Sequence, residues 1–137
     1  DCDRIIALAR SAPLADAGLV RAVADHRIRR ADLAWLDERE GSDWVMDRLV
    51  RLVARANRES FDFALSDFAE SAQVARYGAE REGHFDWHSE PDARVIAAET
   101  ARGAATVFPS FVLHRVTPGT AGERWSLTLW AHGPAFR

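Results

Sequence analysis

Phe108-Pro-Ser-Phe-Val-Leu-His-Arg-Val-Thr-Pro-Gly-Thr-Ala-Gly-Glu-Arg-Trp-Ser-Leu-Thr-Leu-Trp130 is the stretch on which the reading of the fold turns. It contains two apolar runs, Phe111–Val116 and Arg124–Ala131, parted by the turn-forming residues Pro118 to Glu123. Both runs are short, rich in β-branched and aromatic residues, and bounded by Pro or Gly, which predicts strands. Ala104–Phe108, ahead of Pro109-Ser110, predicts a third. One histidine, His114, sits inside the first run, and Arg124 and Ser126 lie two apart in the second. Side chains two apart on a strand share a face, so Arg124 and Ser126 are expected to point the same way.

Outward from this block the period stays short. His84, Asp86, His88 and Glu90 alternate with Phe85 and Trp87, the pattern of a strand with four polar groups on one face. Pro91 ends it, and residues 92–103 carry no clear pattern beyond a short strand or helical turn at Arg94–Glu99. Gln73–Tyr77 predicts another strand, and Phe61, Phe63 and Leu65 a further one. Towards the N-terminus the period becomes helical. Trp44, Val45, Leu49, Leu52, Val53 and Ala56 define one face of a helix from Asp43 to Asn57 with Ser42 as its N-cap. Residues 31–37 predict a strand, residues 3–11 a short helix ended by Pro13, and the alanine-rich 14–24 a helical turn or irregular segment. Helices first and strands after predict an α+β layout, with N-terminal helices against an antiparallel sheet.

The chain has 137 residues, the size of one domain spanning 1–137, with a helical lead-in over 1–60 and a β core over 61–137. A net charge of -3 argues against a nucleic-acid partner. The single cysteine, Cys2, leaves no internal disulfide and no cysteine-based zinc site. Apolar runs are too short for a membrane span and no signal-peptide pattern is visible, so a cytoplasmic location is expected. The chain begins at Asp1 rather than methionine, which leaves room for a preceding segment. His26 among Arg21, Arg27, Arg29 and Arg30 offers an anion patch but reads better as a solvated face, and His132-Gly133-Pro134 reads better as a strand-ending turn than as a ligand site. Trp87, Trp125 and Trp130 read mainly as packing residues.

Two histidines and a carboxylate leaving open positions on a metal form the facial triad of non-haem Fe(II) oxygenases. An i, i+2 pair on one strand places two ligands on one face, and a third comes from a distant strand. His88-Ser-Glu90 and His84-Phe-Asp86 are both such pairs, and the pattern alone does not choose between them. His114 is the distal candidate. Arg124 presents a guanidinium fork suited to a carboxylate, with Ser126 on the same face and Tyr77 as a hydroxyl from a neighbouring strand.

At these residues the chain resembles the Fe(II)/2-oxoglutarate-dependent dioxygenases, in their prolyl-4-hydroxylase-like branch. Gly83-His-Phe-Asp-Trp-His-Ser-Glu90 resembles that family's first ligand strand, Phe108–Pro118 its distal-histidine strand, and Gly122–Trp130 with Gly133-Pro134 its 2-oxoglutarate arginine strand. The resemblance implies a double-stranded β-helix, a cupin-like jelly roll with iron at one mouth. It implies His88, Glu90 and His114 as iron ligands, and Arg124, Ser126 and Tyr77 as the holders of 2-oxoglutarate. The implied activity consumes O2 and 2-oxoglutarate and hydroxylates an unactivated C–H bond of an amino-acid, peptidyl or small-molecule substrate, with succinate and CO2 as co-products.

Two features depart from the family pattern. Glu90 stands where aspartate is usual, and only 25 residues separate His88 from His114. A strand with its turn takes about 8–12 residues, so two to four strands of the family's fold are absent there. Either they are deleted, or a stretch is missing near 91–103; an intact mass well above 15.3 kDa would indicate the latter. A second reading follows from the shortened middle: a degenerate, non-catalytic jelly roll acting as a binding or dimerisation module, with a homodimer as one possible state.

Overall fold

The computed structural model describes residues 1–13, 15–16, 19–20, 23–24, 29–36, 41–86 and 96–134. Its architecture is mixed α+β, with helices on one face of a small antiparallel sheet.

The elements in chain order are α1 (Cys2–Arg10), β1 (Ala15–Asp16), β2 (Leu19–Val20), β3 (Val23–Ala24), β4 (Arg29–Arg30), β5 (Asp32–Trp35), α2 (Asp43–Ala56), β6 (Gln73–Gly78), β7 (His84–Phe85) and β8 (Glu123–Thr128). The main sheet has the order β1-β5-β6-β8, and every pairing is antiparallel. β2 pairs with β3, and β4 with β7, in two separate ladders. Beyond β7, Phe85 and Val116 exchange backbone hydrogen bonds of 3.0 and 2.8 Å, which brings the segment around Val116 alongside β7.

Alternation along the strands divides the core in two. Ala34, Val74, Trp125 and Leu127 belong to the cluster that holds Ala9 and Val45 of the two helices. Ile5 and Leu8 of α1 and Leu49 of α2 complete that layer. Val45 and Val74 are each only 1% exposed, and burying a side chain of that size contributes about 1.5–3 kcal/mol. On the opposite face Ala75 and Tyr77 pack with Ala31 and, at their margin, with Leu33, Phe85 and Val116. The small β4–β7 ladder and the Val116 segment therefore cover the face turned away from the helices.

Face and ladder meet in one charged hub. Arg76, at the centre of β6, donates to Asp32 Oδ2 of β5 at 2.8 Å and to Glu123 Oε1 of β8 at 2.9 Å. A third bond of 2.6 Å reaches Glu80. Asp32, Arg76 and Trp125 are successive partners across the sheet, so one guanidinium ties both neighbouring strands to β6.

Several elements differ from the sequence expectation. Ser42 precedes α2 as expected, but its hydroxyl donates to Leu36 O at 2.8 Å and makes no side-chain cap. The strand expected at Phe61–Leu65 does not form. The helix runs on as a widened turn over Asn57–Phe61, and Asp62 reverses the chain at a φ of 55°. The Asn57 amide then takes both backbone groups of Phe63, at 2.8 and 3.0 Å, so these need no strand partner. The described parts of 14–24 form short strands rather than a helical turn, because Ala15–Asp16 finds the open edge of β5. Ala104–Phe108 and Phe111–Val116 form no strands apart from the Val116 bridge; residues 109–112 make a turn closed by Val112 N–H donating to Pro109 O. A strand needs a neighbour to take its backbone groups, and among the described residues only Phe85 offers one to this stretch. A double-stranded β-helix is thus not assembled among the described residues, whereas the α+β class is.

Candidate functional site

β6 and β8 place the predicted anion-binding residues. Their register sets Tyr77 directly opposite Arg124 and Ala75 opposite Ser126. Directly opposed residues share a face, and this face carries Ala75 and Tyr77 in the cluster away from the helices. Tyr77, Arg124 and Ser126 therefore meet on one surface, as the spacing predicted for Arg124 and Ser126. Tyr77 is 4% exposed and packs among Ala31, Ala75 and Phe85. Arg124 is exposed and makes no hydrogen bond or ion pair with any described residue. Its neighbour Glu123 instead serves Arg76 and Trp125 on the other face, so the nearest carboxylate along the strand is already engaged. The bonds from Arg76 and from the Trp125 indole hold the Glu123 carboxyl below the usual carboxylate range.

A close backbone approach underlies this corner. A Cβ on Gly83 would lie 2.8 Å from Tyr77 Cα and 2.9 Å from the Gly78 nitrogen. Gly83 N–H donates to Gly78 O at 2.9 Å, so β7 leaves the end of β6 in contact with it. Only a residue without a side chain fits there. That contact sets the distance between Tyr77 and the His84 stretch.

The predicted metal ligands are less completely placed. His88 and Glu90 lie outside the described residues. His114 lies within them, partly buried, with its ring 5.0 Å from that of Phe108. Its Nδ1 is 2.9 Å from Val112 O. An Nδ1–H donated to that carbonyl leaves the lone pair on Nε2, the tautomer that a metal-ligating histidine needs. His114 is two residues from Val116, which bridges to β7, the start of the stretch that holds His88 and Glu90. The rival histidine, His84, lies on β7 with its Nδ1 2.7 Å from Glu82 O. Among the described residues no three His, Cys, Asp or Glu side chains gather closely enough to hold a metal. With Nδ1 bonded to the Val112 carbonyl, His114 offers Nε2 as one nitrogen donor of the kind a metal accepts.

Sequence reasoning missed the role of Gln73 and, at Arg29, ranked a solvated face ahead of an anion patch. Arg29 was expected on a solvated face, but it turns inward. Its Nη2 donates to Gln73 Oε1 at 3.0 Å, and its guanidinium lies 4.7 Å from the centre of the Phe85 ring. The signal was parity: Arg29 alternates in step with Ala31 and Leu33, which both reach the inner cluster.

Comparisons with family models, with curated proteins and with solved structures gave no match. No helix among the described residues is long and apolar enough to cross a membrane.

Proposed function

We propose that the chain is an Fe(II)- and 2-oxoglutarate-dependent dioxygenase that hydroxylates an unactivated C–H bond of an amino-acid, peptidyl or small-molecule substrate. The observation that carries this reading is the ladder register. It sets Tyr77 opposite Arg124, with Ser126 next on the same face and no described carboxylate paired to Arg124. A guanidinium with no described counter-ion, beside the hydroxyls of Tyr77 and Ser126, is suited to a carboxylate from outside the chain.

The pairing order supports the jelly-roll part of the reading. A jelly roll is one long antiparallel hairpin rolled on itself, so its first strand pairs with its last and its second with its last but one. β6 pairs with β8, and Phe85 of β7 with Val116. On this reading β6 and β7 open the roll, and the His114 segment and β8 close it.

Arg124 and the Tyr77 hydroxyl bind the far carboxylate of 2-oxoglutarate, and Ser126 adds a donor beside them. His114, its tautomer set by Val112 O, joins His88 and Glu90 in holding Fe(II). Leu33, Ala75, Phe85 and Val116 keep water from the inner face. Bound there, Fe(II) with 2-oxoglutarate and O2 supplies the oxidising power for the hydroxylation.

The test is an anaerobic titration with Fe(II) and then 2-oxoglutarate, following the visible charge-transfer band of the chelate. The expected result is a band saturating at one equivalent. His114→Ala removes metal binding. Arg124→Gln retains it but weakens 2-oxoglutarate binding by about tenfold or more, the loss of a charge-assisted bond. Equal Fe(II) affinity in wild type and His114→Ala would sink the ligand assignment.

One observation favours the second reading, a non-catalytic binding or dimerisation module. Ile96 is 78% and Phe111 67% exposed, with Phe108 and Val112 also open, and exposed apolar side chains mark an interaction surface where they adjoin in a patch. That reading predicts no band and a homodimer by sedimentation.

A further inference from the structure

We infer that Arg29 forms a second carboxylate-binding position on the inner face, separate from the one at Arg124. Arg29 is partly buried between β4 and the main sheet. Its Nε is buried and has no hydrogen-bond partner. Its Nη2 bonds the Gln73 side-chain amide, which is neutral, and its other neighbour is the face of the Phe85 ring. No described carboxylate pairs with it. Other part-buried arginines in the structure are treated differently: Arg76 meets three carboxylates and Arg30 meets Glu82. A buried charge needs a counter-charge or it is costly to keep. At Arg29 the chain offers an amide and an aromatic face instead, which hold the guanidinium in place without neutralising it. That is the arrangement of a receptor for an anion.

The position is not the other end of the Arg124 site. Gln73 and Tyr77 are four residues apart on β6, so about 13 Å separates them at the rise of a strand. A five-carbon diacid spans roughly 6 Å from one carboxyl carbon to the other, at about 1.5 Å per bond. With Arg29 pinned at Gln73 and Arg124 opposite Tyr77, this backbone spacing favours different carboxylates for the two, and competition by 2-oxoglutarate tests it. Resting on the dioxygenase reading, the second carboxylate belongs to the molecule that is hydroxylated, so the substrate class is a carboxylic acid, such as a free amino acid or a chain end.

The test uses the full chain and acetate as the probe. The Arg29 Nε–H resonance, assigned by its loss in Arg29→Lys, is followed in a nitrogen–proton correlation spectrum during acetate titration at constant ionic strength. The expected result is a saturable shift at Arg29, several-fold larger than at the exposed Arg48 and Arg55. It is expected to persist in saturating 2-oxoglutarate and Fe(II). A shift that is linear and equal on all arginines is screening alone and overturns the proposal. A shift abolished by 2-oxoglutarate also overturns it, because Arg29 would then belong to the co-substrate site. The wild-type titration decides even if Arg29→Gln fails to fold; where that variant folds, the acetate-induced shift of the Gln73 side-chain amide is expected to vanish. A saturable Arg29 shift in a chain that gives no charge-transfer band upholds the anion position and rejects the dioxygenase reading. The band without the shift does the reverse.

Discussion

Replacing Arg76 by glutamine should loosen the main sheet at the place where it carries Arg124. Arg76 and Asp32 have side chains only 20% and 17% exposed, and their contact is 2.8 Å. A hydrogen bond to a charged group contributes about 1.5–3 kcal/mol net. Asp32 keeps a second partner, Arg81 at 2.7 Å, so the lower part of that range applies, about 2 kcal/mol. The more exposed bonds to Glu80 and Glu123 add to the direction but are screened by solvent. For a domain of this size 2 kcal/mol lowers Tm by roughly 6–12 °C. The assay is thermal unfolding by far-ultraviolet circular dichroism at pH 7, with the urea midpoint as a second measure. Arg48→Gln is the control. Its pair with Asp1 is exposed, at 67% and 40%, and is worth at most about 1 kcal/mol. A double-mutant cycle with Asp32→Asn isolates the pair and should return a coupling of about 1–2 kcal/mol. If Arg76→Gln shifts Tm no more than Arg48→Gln does, the hub does not hold the strands together and the reasoning fails. If the sheet loosens as expected, the same variant should weaken 2-oxoglutarate binding without touching any ligand, through the neighbouring Glu123 and Arg124.

Gly83→Ala should cost about 1–3 kcal/mol, the usual penalty of overpacking, because its Cβ would meet backbone atoms at 2.8 and 2.9 Å that cannot turn aside; an unchanged urea midpoint would contradict this. Glu123 has a folded-state pKa below its unfolded one, owing first to Arg76 and then to Trp125. Its contribution is thus complete above the unfolded value near 4.3 and is lost as pH falls through the lower folded value. Tm of the wild type should accordingly fall more steeply below about pH 4 than that of Glu123→Gln, and matching acid limbs would remove Glu123 from the account. The His114 and Arg124 variants complete the set, with metal lost in the first and 2-oxoglutarate weakened in the second.

Legibility in the sequence followed how local each cause was. α2 is announced by apolar residues every three or four positions, which is the helix's own geometry, and it was found within a residue at its C-terminal end. β6 and β8 were legible for a similar reason, as each carries alternation matching two unlike faces. The shared face of Arg124 and Ser126 follows from a spacing of two and needed nothing else. Phe61–Leu65 alternates just as well, yet the side-chain amide of Asn57, outside the alternating pattern, took the backbone groups of Phe63. Ala104–Phe108 and Phe111–Val116 have strand composition too, and form no ladder beyond Val116.

What the sequence determined by itself was therefore the kind of element each stretch favours and which of its residues share a face, since both are set by backbone geometry within a few residues. Tertiary structure alone decided which strands found partners, that Tyr77 stands opposite Arg124, and that Arg29 turns inward onto Gln73 and Phe85 instead of towards solvent. These depend on what lies across a sheet or a layer, tens of residues away in the chain, and alternation along one strand holds no record of the strand beside it.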